Sequence, residues 1–160
     1  MRILMLLFCG LLILAGGCFY SFNPGGEPIV KTIAVAQFEN KTVEAGLAST
    51  MTDLVIDGLI ADGNLKVVSE SDAEGILYGT LASYERKPFS SDEAENVTQY
   101  VIRITFDVTL KKSDSDEDIW SESFFRESFY NPDEETEEDG QAKAAAILVQ
   151  DIINKTTKSW

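Results

Sequence analysis

Residues 100–111 alternate without a break. Tyr100, Ile102, Ile104, Phe106, Val108 and Leu110 fall on one side, and Val101, Arg103, Thr105, Asp107, Thr109 and Lys111 on the other. A strand turns successive side chains to opposite faces, so this period of two gives one apolar face and one solvated face. Such a strand belongs in an antiparallel sheet that is covered on one side only. That single requirement restricts the fold more than any other stretch of the chain.

The flanking segments supply the rest of the sheet. Residues 76–86 read as the partner strand, with Ile76, Tyr78, Ala82 and Tyr84 on one face and Leu77, Gly79, Leu81 and Ser83 on the other. A polar tip over residues 88–96 joins it to the long strand. Residues 113–118 turn the chain into a third strand over 119–127, which contains Trp120, Phe124 and Phe125, and Asn131-Pro132 stops the sheet. Upstream, residues 29–38 read as an interior strand: Val30, Thr32, Ile33 and Val35 are β-branched, and 33–36 are nearly continuous in apolarity. Glu39, Asn40 and Lys41 are expected to turn it, and residues 65–68 form a short edge strand broken by Glu70, Ser71 and Asp72.

Two segments have helical periodicity. In residues 43–62, Leu47, Met51, Leu54, Val55, Gly58 and Leu59 recur at steps of three and four, with Glu44 near the positive end of the dipole and Gly63 suited to a left-handed cap. In residues 141–158 the stripe is Ala145, Leu148, Val149, Ile152 and Ile153. Thr136 is the expected N-cap, Glu137, Glu138 and Asp139 fill the first turn, and Lys155 and Lys158 lie near the negative end, before the terminal Trp160. Each helix has one apolar stripe, so both pack on one face of the sheet. The expected fold is an α+β two-layer sandwich, two helices on a mixed sheet of about four strands.

The N-terminal segment sets the compartment. Arg2 is followed by an apolar stretch over residues 3–14 and then Ala15-Gly16-Gly17-Cys18. A positive residue, a short apolar run and small residues make a secretory signal peptide. A cysteine directly after the small residues has the layout of a bacterial lipobox, cut between Gly17 and Cys18 with the thiol acylated. The competing reading, a membrane span, needs about 20 apolar residues. Cys9 is a poor alternative cleavage point because Leu6, Leu7 and Phe8 precede it. The expected organisation is a leader over 1–17, a tether over 18–28 rich in Asn, Pro and Gly, and one domain over 29–160. One acyl chain holds a protein to a bilayer only marginally, so firm attachment calls for the two or three chains typical of this class. Phe19, rather than Asp, follows the cysteine, which by resemblance to enterobacterial sorting rules favours the outer membrane.

Composition narrows the chemistry. Removal of the leader leaves Cys18 as the sole cysteine, so no intramolecular disulfide holds the fold. The chain has no histidine, which excludes Ser-His-Asp and Cys-His catalysis and histidine-ligated metals. A net charge of -14 argues against nucleic-acid partners and against an anionic membrane surface, leaving the lipid as the membrane attachment.

The acidic clusters do not form sites. The run 133–139 lacks the spaced ligands and central glycine of a calcium loop, and it reads as a solvated helix start. Asp114, Asp116 and Asp118 alternate, but no glycine follows and no glutamate closes the loop, so they read as a charged turn. Paired carboxylates can hydrolyse glycosides, yet no acid here has an apolar context, and no cofactor, metal or catalytic residue is expected beyond the lipid on Cys18. Asn40, Asn96 and Asn154 each begin an N-x-Thr triplet, which beside a bacterial lipobox is a chance match. The cations are few. Arg86 and Lys87 lie where the 76–86 strand approaches its tip, and Arg103 lies on the partner strand; together they would suit an anionic lipid head group, and singly each reads as an ordinary strand-end charge.

Several stretches together resemble one family. The lipobox, Tyr20-Ser21-Phe22, residues 33–42 (Ile-Ala-Val-Ala-Gln-Phe-Glu-Asn-Lys-Thr), residues 79–88 (Gly-Thr-Leu-Ala-Ser-Tyr-Glu-Arg-Lys-Pro), Gln99-Tyr100 and residues 151–155 are similar, in order and spacing, to the LptE family of lipopolysaccharide-assembly lipoproteins. The resemblance implies two helices on a four-stranded sheet. It also implies a non-enzymatic plug inside and beneath a large outer-membrane β-barrel, LptD, which inserts lipopolysaccharide into the outer leaflet. It further implies contact with lipopolysaccharide through basic residues near a hairpin tip. Here the tip carries Asp92, Glu93 and Glu95, and the nearest cations are Arg86, Lys87 and Arg103; bridging divalent ions are the other route. On the face left uncovered by helices, Thr105, Asp107, Thr109 and Lys111, beside Arg103, would meet the barrel wall. Residues 33–42 also resemble the start of curli-secretion lipoproteins, which implies a homo-oligomeric ring instead.

Overall fold

The computed structural model describes residues 29–115 and 117–158. The expected leader, the cleavage point at Gly17 and Cys18, the tether, Asp116 and Trp160 lie outside the described residues. In chain order the elements are β1 (Thr32–Val35), β2 (Glu39–Asn40), α1 (Leu47–Asp62), β3 (Lys66–Val67), a turn of 3₁₀ helix (Glu70–Asp72), β4 (Gly75–Ser91), β5 (Val97–Lys112), β6 (Asp118–Tyr130) and α2 (Glu137–Lys158). The sheet runs β3-β1-β4-β5-β6, with β2 also paired to β4. β1 is parallel to β3 and β4, while β4, β5 and β6 form an antiparallel meander. The sheet is therefore mixed, and both helices lie on one face of it. The α+β class holds, with six strands rather than about four because two pairings of only two residues count as strands.

The alternation of β5 decides where the core sits. Ile102, Ile104, Phe106, Val108 and Leu110 are fully enclosed beneath the helices, together with Leu77 and Leu81 of β4. Met51, Val55 and Leu59 of α1 and Leu148 and Ile152 of α2 close over them. Each large apolar side chain buried this way contributes roughly 1.5–3 kcal/mol, and the described residues include no cysteine to add a covalent link. No helix of the described residues is long and apolar enough to cross a membrane.

The expected single strand over 29–38 is interrupted. At Phe38 the backbone N–H donates to the Thr52 hydroxyl at 3.0 Å instead of to a neighbouring strand. The Phe38 ring then takes the space that a side chain at position 79 would need, and packs on Phe106 with centroids 5.8 Å apart. The chain rejoins β4 as β2, so Glu39 and Asn40 pair with Thr80 and Leu81 where a turn is expected. The first helix starts at Leu47, later than residue 43. The Asn40 side chain organises the preceding loop by accepting from Thr42 N–H at 2.8 Å and donating to the Glu44 carbonyl at 2.6 Å, and Gly46 has a φ of +82° that a helix cannot continue through. Its end is as expected: Gly63 is left-handed and its N–H returns to the Leu59 carbonyl at 3.1 Å.

β4 departs most from its sequence pattern. Its pairing with β5 shifts between Leu81 and Ser83, so Ala82 is the extra residue of a β-bulge. Before the bulge, Leu77 and Leu81 oppose Leu110 and Phe106 on the helix side; after it, Tyr84 and Arg86 oppose Ile104 and Ile102. Tyr84 thus leaves the face of Ile76 and Tyr78, and Ser83 leaves that of Leu77, contrary to strict alternation. β4 also runs on to Ser91 and β6 to Tyr130. The hairpin tip shrinks to residues 92–96, where the Asp92 carboxylate accepts the N–H groups of Ala94 and Asn96 at 2.9 and 2.8 Å. Thr136 caps α2 as expected: its hydroxyl accepts from Asp139 N–H at 3.2 Å, and the Asp139 carboxylate accepts from Thr136 N–H at 2.9 Å.

Candidate functional site

The sheet divides the candidate residues into two groups. The bulge at Ala82 carries Arg86 to the helix side, at the root of the β4–β5 hairpin. There its guanidinium lies 3.8 Å from the centroid of the Tyr100 ring, and Tyr100 is itself stacked on Tyr130 at 5.4 Å. Arg86 Nε donates to the Tyr130 hydroxyl at 2.5 Å and lies 3.2 Å from a Glu137 carboxylate oxygen at the start of α2. The other Glu137 oxygen accepts from the Tyr84 hydroxyl at 2.5 Å. Gln141 donates to both Tyr84 and Glu44 at 2.9 Å, tying the loop before α1 to the same cluster.

These contacts change the proton affinities. Burial, followed by the hydrogen bond to Glu137, pushes the Tyr84 phenol well above its ordinary range. The hydrogen bond to Tyr130, helped by Glu137, holds the Arg86 guanidinium even more firmly charged than usual. Chemically the cluster is a fixed cation in an aromatic and carboxylate frame. It ties the hairpin root to β6 and to the start of α2, and it leaves Arg86 partly exposed with its plane already stacked.

Lys87 and Arg103 point to the opposite, helix-free face. Lys87 pairs with Glu85 at 2.7 Å and Arg103 with Glu127 at 3.1 Å. Lys87 lowers the proton affinity of the Glu85 carboxyl through a hydrogen bond and its charge. The three cations read together from the sequence are therefore split by the thickness of the sheet, and each meets a carboxylate. At the tip, Asp92 is held ionised mainly by the Asn96 side chain.

The four remaining candidates do come together. Thr105, Asp107, Thr109 and Lys111 share the open face of β5. Thr105 accepts from the Ser83 hydroxyl at 3.0 Å, Thr109 and Ser121 share a hydrogen bond at 2.8 Å, and Lys111 lies 3.5 Å from Asp118. Asp107 sits between Thr80 and Ser123 in the ladder. The result is a hydroxyl-rich polar strip with the ion pair Arg103–Glu127 beyond it. Val101, on the same face, is buried, because the strip ends in an aromatic cover: Phe89 and Phe129 meet edge to face at 4.7 Å.

Sequence reasoning missed the tyrosine frame and Glu137. Tyr84, Tyr100 and Tyr130 are far apart in the chain, and only the bulge brings the first to the side of the other two. It also missed a cleft of about 590 Å³ between the N-terminal halves of α1 and α2.

Fold and site together define a small two-layer α+β domain that presents a polar sheet face and a braced hairpin. The same fold occurs in solved structures. The PelC dodecamer from Paraburkholderia phytofirmans is similar with a TM-score of 0.57 and 16% identity, over 84% of this chain and 93% of that one. Protein XCC0632 from Xanthomonas campestris gives 0.57 and 13%, over 83% and 86%. Lipoprotein GNA1162 from Neisseria meningitidis gives 0.50 and 12%, over 77% and 98%. At these identities the likeness is one of fold. No curated protein matches the chain. The family is settled by sequence: the chain belongs to the LptE family, described as lipopolysaccharide-assembly, which matches residues 30–156.

Proposed function

We propose that this chain is an outer-membrane lipoprotein, acylated at Cys18, that plugs an LptD-type β-barrel from the periplasmic side. In this reading it assists assembly of the barrel and supports lipopolysaccharide insertion into the outer leaflet. It works by shape and contact rather than by bond-making chemistry. Family membership across residues 30–156 carries the reading. The open face supports it. The interior of a wide barrel is polar and wet, and Thr105, Asp107, Thr109 and Lys111 form a surface suited to that setting. Arg86 is the best of the three cations for lipopolysaccharide contact, since its plane is pre-set by Tyr100 and a guanidinium meets phosphate in a fixed fork. Lys87 and Arg103 would have to exchange their carboxylate partners first.

Purification of the native protein from outer membranes tests the proposal. A one-to-one complex with a far larger barrel is expected, with an intact mass showing a cleaved, lipid-modified Cys18. Depletion is expected to leave the barrel misassembled and the cell permeable to bulky hydrophobic antibiotics. Normal barrel folding after depletion overturns the plug role. A homo-oligomer without a barrel would favour the ring reading instead; PelC, of the same fold, has been solved as a dodecamer.

A further inference from the structure

The cleft between the helices lies on the layer opposite the polar sheet face and is independent of the barrel reading. Leu47 and Ala145 form its floor, and Leu54, Ala142, Ala146 and Val149 its walls. Leu54 is 39% exposed although it belongs to the apolar stripe of α1. The small side chains of Ala142, Ala145 and Ala146 on α2 leave the space between the two helices unfilled. At 1.5 Å per residue the lined stretch of α2, residues 138–149, spans roughly 16 Å, or about three helical turns of an occupant.

Charge identifies what kind of occupant fits. No lysine or arginine lines the cleft, and Glu138 is its one charged lining residue. α1 contains no basic residue at all, and Asp53 and Asp57 stand exposed one turn apart beside Leu54. Glu44 lies at the head of the cleft, bound to Gln141. The lysines of α2 are turned elsewhere: Lys143 to Glu135, Lys155 to Glu122 and Lys158 to Asn154. An apolar trough whose one charged lining residue is Glu138, with Asp53 and Asp57 exposed on the adjoining surface of α1, matches a segment with apolar anchors and basic flanks. It mismatches a second copy of this chain, whose own rim is acidic, and it repels an anionic amphiphile.

We infer that this cleft is a docking groove for an amphipathic, lysine- or arginine-flanked helical segment of a partner protein. Apolar residues at helical spacing would seat on Ala142, Ala145 and Ala146, with the flanking cations over Asp53, Asp57 and Glu138.

The test uses the full chain in phosphatidylcholine nanodiscs, with empty nanodiscs as the blank. The probe is a leucine–lysine amphipathic peptide of about 14 residues. Saturable binding on the order of 10 µM is expected, with slowed amide exchange confined to residues 45–54 and 138–149. Ala146→Trp, an exposed position that fills the trough, is expected to abolish binding. The pair Asp53→Lys and Asp57→Lys is expected to weaken it about tenfold. Circular dichroism should be unchanged in both variants. The inference fails if a leucine–glutamate peptide binds equally well, if protection falls on the β4–β6 face, or if Ala146→Trp leaves binding intact. It also fails if the groove becomes protected on concentration alone, which would make the occupant a second copy. Loss of barrel co-purification with peptide binding retained would sink the plug reading and leave this one standing.

Discussion

Arg86 Nε–H donates to the Tyr130 hydroxyl at 2.5 Å, joining β4 to β6 across the intervening β5. The same guanidinium covers Tyr100, the β5 partner of Tyr130, which lies diagonal to Arg86. One side chain thus clasps three strands at the root of the hairpin, and Glu137 adds the start of α2.

Removing the clasp should loosen the root without unfolding the core. Arg86→Ala is expected to cost about 1 kcal/mol in urea unfolding, since the site is partly exposed and its ion pair is screened. Arg86→Lys should recover little of that, because an ammonium lacks the flat fork that stacks on Tyr100 and reaches Tyr130. Faster amide exchange in residues 86–101 would accompany the loss; unchanged exchange there would show that the clasp does not hold the hairpin.

Tyr84 should make the fold alkali-sensitive. Its phenol is held protonated in the folded state and titrates from the ordinary value of 10.0 when unfolded. The unfolded chain therefore loses this proton at a lower pH than the native one. The stabilisation is complete below pH 10 and falls as pH rises toward the raised folded value. Tyr84→Phe should flatten stability between about pH 10 and 12, read as the melting temperature across that range. An identical slope in both proteins would refute the assignment.

Gly58 sets how closely α1 approaches α2. A methyl group at this position would run into Ile153 Cδ1 and press on Val149. Gly58→Ala gains up to about 1 kcal/mol in helix propensity and loses roughly 1–3 kcal/mol to overpacking, so a net loss is expected. Ile153→Val removes the offending atom. The double variant should be more stable than the sum of the single changes, by more than about 0.5 kcal/mol in a double-mutant cycle.

β6 ends the sheet, and two of its backbone carbonyls are occupied by cationic side chains. Arg126 donates to the Phe125 carbonyl at 2.5 Å and Lys143 to that of Phe129 at 3.3 Å. Charged side chains along a sheet edge discourage strand addition. Arg126→Ser with Lys143→Ser should therefore raise concentration-dependent self-association in analytical ultracentrifugation. If the variant and the native chain sediment alike, these side chains do not guard the edge.

Much of the architecture could be read from local pattern. The alternation over residues 100–111 identified both the buried and the open face of β5. Gly63 and Thr136 marked helix ends because a left-handed cap and a hydroxyl N-cap are demands of a few adjacent atoms. The polar strip of Thr105, Asp107, Thr109 and Lys111 followed from the same period of two.

Other features belong to the folded chain alone. Ala82 looks like any strand residue; it becomes a bulge because Leu81 and Ser83 must register with Phe106 and Thr105. That one extra residue moves Tyr84 and Arg86 to the helix side, which separates Arg86 from Lys87 and Arg103. Phe38 leaves its strand where its N–H donates to the hydroxyl of Thr52, a residue of the helix that comes later in the chain. The groove beside Ala142 and Ala146 exists only because two helices come together over one sheet. Local sequence determined the faces and the ends of the elements, where neighbouring residues settle the energy. Tertiary structure decided which faces meet and which charges pair, since those energies depend on atoms brought together from distant parts of the chain.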